Sequence, residues 1–569
     1  SSAASDVYKR QAERARIAAD ESVQAVWDPS PVQRGMIFHA QEDDPYTSSV
    51  RIAIGDDVDL DVLRRAMRSV MAHEPALRLR VRWVGEGPTR RPVLVTVDST
   101  EVEWLPEEAG SPSAEELVHR RFDLERGPLL RIAVTSGSAG RRELVIANHH
   151  LLLDGWSMPL LIDALATSYL REMRGVPDRP VVPVAASAFA LRDERISIAC
   201  EERGAAAIER RVGLLAESAA GLVVPVLTER FGVPAQETGS TLRVVEWALD
   251  SAVVQETARR CEATVAALLA AAWGITLAAA TGGEQAVTGL VLSGRDGHVE
   301  DHDLMGMFMD TAPLLVGRGS TMAELVRDVS AQTAALLAEP PVGLAPLGRA
   351  LGRGEVFDAL LVVENYPVPE ATSGPEGDGK GLALEVLDGE DATHYPLGLT
   401  VETEGTHTRL RFEIDPRVIG DELADALSEA LKAVVQRLTA GGETLSTEEL
   451  RHTARACLPV PEEQGHTAAP APPETQDNTD RAVVDMAAAF AAVLDPDETP
   501  TVGEDTNFFA SGGDSILAMA LVTQCRDRGL QIRASDVFTH PTPRALAERA
   551  VLIPTCLLYT SDAADDSLR

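Results

Sequence analysis

The stretch Asn148-His149-His150-Leu151-Leu152-Leu153-Asp154-Gly155-Trp156 decides how this chain is read. Before it runs the apolar segment 143–147, Glu-Leu-Val-Ile-Ala, which reads as a buried strand. After it come Ser157, Met158 and Pro159. These read as a helix start in which Ser157 can cap and Pro159 sits in a first turn that needs no amide donor. Two histidines therefore stand where a strand gives way to a loop, and loops held by a rigid element often carry chemistry. A bare His-His pair also fits one core histidine beside one at the surface, so the rest of the chain has to decide.

The chain has 569 residues, room for about three or four domains. Its composition, 45% hydrophobic and 25% charged, is that of a soluble globular protein. A net charge of −36 argues against a nucleic-acid partner and against an anionic membrane surface, since both attract basic faces. Solubility and self-repulsion account for the charge. Cys200, Cys261, Cys457, Cys525 and Cys556 show no paired or metal-ligating spacing. That pattern leads us to expect reduced thiols, no metal and a cytoplasmic location. No signal peptide and no membrane-spanning apolar run is visible. The start, from Ser1 to Gln11, and the end, from Cys556, resemble translated sequencing-adapter read-through, and the first methionine is Met36. Residues 1–24 and 552–569 are therefore set aside, and the chain is expected to be a fragment of something longer.

Between these ends the pattern is α/β. Residues 27–40 read as a Pro-rich extended start followed by an apolar run that packs. Residues 50–54, 79–83, 92–97, 129–135 and 143–147 read as strands. A helix is expected over Leu60, Leu63, Met67, Val70 and Met71, broken at Pro75, and another near 114–121. The helix after Ser157 should bury Leu160, Leu161, Ile162 and Leu165. Residues 187–222 read as helical, 244–247 as a strand, and 251–280 as two helices, the second nearly all apolar and hence buried. Strands follow at 286–292, 357–364, 395–401 and 408–414, then a helix at 420–438, with 370–381 as a surface loop. Residues 456–480 form a Pro-rich linker. A small helical domain follows. Its first helix, 481–494, turns Met486, Phe490, Val493 and Leu494 inward; its second runs from Ile516 to Gly529, and Pro543 opens its last.

These motifs in this order resemble a condensation domain followed by a peptidyl carrier domain of nonribosomal peptide synthetases, over residues of about 25 to 551. Residues 149–155 match the family's HHxxxDG signature. Ser30-Pro-Val-Gln-Arg-Gly-Met-Ile-Phe-His39 looks like its opening motif and His73-Glu-Pro-Ala-Leu-Arg78 like its second. The segment 122–131, Ser293-Gly-Arg295, 305–311, 364–367 and 393–397 fall in family order. In the carrier, Asn507-Phe-Phe-Ala-Ser-Gly-Gly-Asp-Ser-Ile516 matches the phosphopantetheine-attachment signature.

The resemblance implies two chloramphenicol-acetyltransferase-like lobes in a V, 25–185 and 186–455, with a tunnel between them. The linker 456–480 then leads to an all-α four-helix carrier at 481–551. It implies that His150 is the base, or the positioner, of an attacking amine, while His149 is structural. Asp154 and Arg78 are expected to form an ion pair that holds the loop, and Gly155 to let the backbone turn or approach closely. Ser515 would carry 4'-phosphopantetheine at the start of a helix, where the dipole favours the phosphodiester. Implied partners are an upstream donor carrier domain and a phosphopantetheinyl transferase; 456–480 is too short to hold an adenylation domain, so either one acts in trans or an assembly error has spliced the chain. The expected reaction is amide formation on carrier-bound thioesters. Epimerisation, ester formation and a catalytically silent carrier scaffold are the alternatives. Asp310 stands where the family often has Asn, and 182–190 barely matches the motif expected there.

Overall fold

The computed structural model describes residues 14–552 except 21, 42–43, 86–89, 99–100, 106–119, 137–140, 176–185, 233–241, 296–302, 365–383, 392, 405, 442–443, 461–475, 495–500 and 514. Most of the expected helix at 114–121, the loop 370–381, most of the linker and part of the 182–190 motif lie outside the described residues.

The first half holds β1 (Val23–Trp27), α1 (Pro31–His39), β2 (Thr47–Ile54), α2 (Leu60–His73), β3 (Leu79–Val84), β4 (Arg91–Val97), β5 (Glu103–Trp104), β6 (Leu130–Ser136), β7 (Arg142–His149) and α3 (Ser157–Met173). Asp59 caps α2 by accepting from the amides of Asp61 and Val62, and the stripe Val62, Leu63, Ala66, Met67, Val70 and Met71 is buried. Residues 31–39, expected to begin extended, are a helix. Ser30 and Gln33 form a reciprocal capping box, and Pro31 opens the first turn. The Ser-Pro-Val-Gln spacing carried that signal in the sequence.

The second half holds α4 (Ser187–Ala216), α5 (Val223–Phe231), β8 (Arg243–Asp250), α6 (Ser251–Arg260), α7 (Val265–Thr281), β9 (Ala286–Leu292), β10 (Asp310–Val316), α8 (Met322–Ala338), α9 (Leu344–Leu351), β11 (Ala359–Glu364), β12 (Leu384–Asp391), β13 (Leu397–Glu404), β14 (His407–Ile414), α10 (Asp421–Thr439) and α11 (Thr447–Arg455). As its composition requires, α7 is buried on every face from Ala267 to Ala280. The carrier region holds α12 (Gln476–Val493), α13 (Ser515–Asp527), β15 (Leu530–Gln531), α14 (Ala534–Thr539), α15 (Pro543–Arg549) and β16 (Val551–Leu552). Its four helices bury Met486, Phe490, Val493 and Leu494, and a two-residue β pairing closes it.

Two sheets organise the larger part. One has the order β12-β2-β7-β6-β5, the other β10-β9-β11-β13-β14-β8, and a smaller sheet pairs β1, β4 and β3. In the first, β7 is central, with Thr47 opposite His149 on one side and Leu130 opposite Asn148 on the other. The His-His pair thus leaves a fully hydrogen-bonded strand. The edge strand β12 comes from the second half, running antiparallel to β2. A division of the chain at 185/186 therefore does not divide the sheets.

Candidate functional site

His149, the last residue of β7, is fully buried. Its Nδ1 accepts the Leu151 amide at 2.9 Å, so the proton sits on Nε2, which donates to Asp44 at 3.0 Å. With both nitrogens engaged, this ring holds the loop. His150 differs. Its amide donates to the Tyr46 carbonyl at 2.8 Å, and its Nδ1–H donates to the Leu153 carbonyl at 2.7 Å. That tautomer leaves Nε2 with a lone pair and, among the described residues, no hydrogen-bond partner, while the ring lines a large cavity.

Asp154 is 2% exposed. It accepts from the Ser157 amide at 2.9 Å, the Ser157 hydroxyl at 2.7 Å and the Phe308 amide at 3.0 Å. Its charge partner is Arg295, whose Nη2 reaches both carboxylate oxygens at 2.7 and 2.9 Å. Arg295, 1% exposed, also donates to the Leu304 carbonyl and to the Ser157 hydroxyl. A buried carboxylate is tolerable only with this degree of pairing.

The expected pairing with Arg78 is thereby corrected. Arg78 donates to Gln24 Oε1 at 3.1 Å and to the carbonyls of Val97 and Asp98 at 2.6 and 2.8 Å. It pins the ends of β1 and β4 and makes no bond to Asp154. Nothing local in the sequence separates the two arginines, because Arg295 lies 141 positions beyond Asp154. The Ser293-Gly-Arg295 motif was the available signal. Ser157, expected to cap α3, is instead its first residue; Asp154 performs the capping from three residues upstream. Gly155 lines the cavity and does not take a positive φ, so what glycine provides there is the lack of a side chain.

The cavity has a volume of about 870 Å³. Its wall takes Met36 and His39 from α1, His150 and Gly155 from the loop, and Glu246 and Arg411 from the second sheet. It also takes Phe509 and Phe538 from the carrier region. The carrier packs there: the Phe38 ring lies 5.2 Å from that of Phe538, which lies 5.0 Å from Phe509. Asn507 Nδ2 donates to the Gly352 carbonyl at 2.8 Å. Gly354 permits the approach, since a Cβ there would lie 2.4 Å from the Phe538 carbonyl oxygen. Ser515 is the first residue of α13, which packs beside α1. Upstream of it, Gly512 takes φ +91° and Gly513 packs against Phe508, where a Cβ would lie 2.4 Å from the ring.

Beside His150, His39 stacks on His394 at 4.2 Å, and Tyr46 donates its hydroxyl to His394 Nδ1. Burial brings His39 down to about 4 and His394 well below the ordinary imidazole range, so both rings are neutral. Burial also holds the phenol of Tyr46 well above its usual value.

The condensation-domain family model matches residues 23–453, and the phosphopantetheine-attachment-site model matches 483–550. Chondramide synthase of Chondromyces crocatus is 27% identical over 386 residues, covering 64% of this chain and 10% of its own. Tyrocidine synthase 3 of Brevibacillus parabrevis is 24% identical over 408 residues, covering 67% of this chain and 6% of that protein. The chain thus spans about a tenth or less of the length of these relatives. In fold it is similar to the condensation domain of the monacolin K polyketide synthase (TM-score 0.59, 17% identity, 75% of this chain, 100% of that one). The first condensation domain of the calcium-dependent antibiotic synthetase is similar too (TM-score 0.56, 21% identity, 75% and 99%). Since the condensation-domain model spans more than half of the chain, the chain belongs to the condensation-domain family, and its condensation domain is followed by a phosphopantetheine-attachment domain.

Proposed function

We propose that this chain forms an amide bond between a donor acyl or peptidyl thioester, delivered by an upstream carrier domain, and an acceptor aminoacyl thioester tethered to its own Ser515. The observation that carries this reading is the carrier packed against α1 and the 352–354 turn, with Phe509 and Phe538 in the wall of the cavity that His150 also lines. The phosphopantetheine arm, when attached, supplies the thioester that carries the acceptor. His150 offers Nε2 to the amine, as the group that takes its proton or orients its lone pair; as the C–N bond forms, the donor C–S bond breaks and the donor carrier's thiol leaves with the proton the amine gives up. The Nδ1–H bond to Leu153 fixes the ring. His149, Asp154 and Arg295 hold the loop: internal partners engage both ring nitrogens of His149, and Arg295 bonds both carboxylate oxygens of Asp154. Installation of the arm calls for a phosphopantetheinyl transferase. Loading calls for an adenylation domain in trans, because only 454–482 lies between the two matched regions. We place the reaction in the cytoplasm. Among the described residues no single helix is long and apolar enough to cross a membrane.

The test is to load this chain with a labelled acceptor and offer a donor on a separate carrier. The expected product is found covalently attached to this chain, and Ser515→Ala yields none. A loaded chain whose label never joins the donor contradicts the reading.

A further inference from the structure

The cavity wall contains a carboxylate that the proposed amide chemistry does not use. Glu355 follows Gly354 in the turn between α9 and β11, one residue from the point where the carrier's Phe538 presses on the condensation part. It lines the same cavity as His150. Its charge reaches Tyr46, whose carbonyl accepts the His150 amide, and also Tyr395. Among the described residues no hydrogen bond and no ion pair engages its carboxyl group. Its neighbour Asp358 is satisfied by the amides of Val223 and Val224 at 2.8 Å and adds only like charge. The imidazoles in the same wall, His39 and His394, are neutral. Burial, and then Asp358, raises Glu355 to about 7. The empty cavity therefore does not have to hold a fully naked charge, and an entering cation draws the carboxylate out.

We infer that Glu355 is the binding residue for a primary ammonium group of the acceptor, at the carrier end of the cavity. This rests on the reading of the carrier-borne group as an acceptor. The cavity supplies the space, the carrier seated at its edge supplies the direction of entry, and the unpaired carboxylate supplies half of a charge-assisted hydrogen bond. The ammonium can be the α-amine of the aminoacyl group or the end of a basic side chain.

Binding of pantetheine amides to the full chain bearing Ser515→Ala, by calorimetry, separates these cases. The probes are alanyl-pantetheine amide and its N-acetyl form, then Nα-acetyl-lysyl-pantetheine amide and its doubly acetylated form. At least one free amine should bind about tenfold or more tighter than its acetylated partner, and Glu355→Gln should erase that preference. Loss for the alanyl pair assigns the site to the α-ammonium; loss for the lysyl pair alone assigns it to a side chain. Equal binding of free and acetylated probes by the Ser515→Ala chain overturns the proposal, and so does a preference that survives in Glu355→Gln. The first comparison needs no Glu355 variant, and Glu355→Met, which also lacks the carboxylate, serves if the Gln chain melts early. The readout needs no turnover. A chain that forms product yet shows no amine preference overturns this site alone, and one that shows the preference yet forms no product overturns only the amide reading.

Discussion

Two seams meet the cavity, and they are built differently. At one, the His-His loop is tied to the second half of the chain through Asp154, Arg295, Ser157, Gly306 and Phe308, all buried and all hydrogen-bonded. At the other, the carrier meets the condensation part through three aromatic rings and a bond from Asn507 to a backbone carbonyl. Separating the first strands a charge in a dry site, which costs far more than exposing apolar surface. Separating the second returns rings to water. The difference suits the two tasks: the loop must hold His150 still, and a carrier that delivers and departs needs a contact it can leave.

The comparison breaks most visibly at the charged seam. Arg295→Met should destabilise the chain by about 3–5 kcal/mol, read by denaturant melts, because Asp154 stays buried without its partner. Product formation should fall with it. A loss below about 1 kcal/mol would show that Asp154 does not depend on Arg295. At the apolar seam, Phe38→Ala should weaken carrier docking by about 1–3 kcal/mol. It should lower energy transfer between dyes placed on the carrier and on the condensation part, while the main unfolding transition stays in place. Unchanged transfer would mean that other contacts hold the carrier.

Arg78→Met probes neither seam. It should cost about 1–3 kcal/mol through lost bonds to carbonyls and leave the Asp154 network intact. A product defect as severe as that of Arg295→Met would restore Arg78 to the loop. The effect of pH on His39 is confined to acid. Its folded value, about 4, lies below the ordinary imidazole value of 6.5, so the unfolded chain takes up the proton first. The stability it contributes is complete above about pH 6.5 and is lost as pH falls toward 4, by up to about 3 kcal/mol. His39→Phe should remove that part of the acid sensitivity, and an unchanged pH–stability curve would contradict the depressed value.

The sequence displayed what depends on neighbours in the chain. The alternation along 407–414, the apolar run of α7 and the stripe of α2 each follow from local periodicity, and all three are present. The pairings that depend on distance were hidden. β12 joins β2 across more than three hundred residues, and nothing in its residues names that edge. Asp44 meets His149 from outside any motif, and Arg295 meets Asp154 from the far half of the chain. The positions of the loop residues could be read, but not the partners that give each one its role. His149 and His150 are identical in type and adjacent in sequence. Their separate duties come from Asp44 and the Leu151 amide on one side and the open cavity on the other.

That separation is best tested by product formation in His150→Ala, with a loaded donor carrier and an acceptor on Ser515. We predict a fall of about a hundredfold or more with the melting transition preserved, since the ring bonds only to backbone groups and faces the cavity. Turnover equal to that of the unaltered chain would contradict the account.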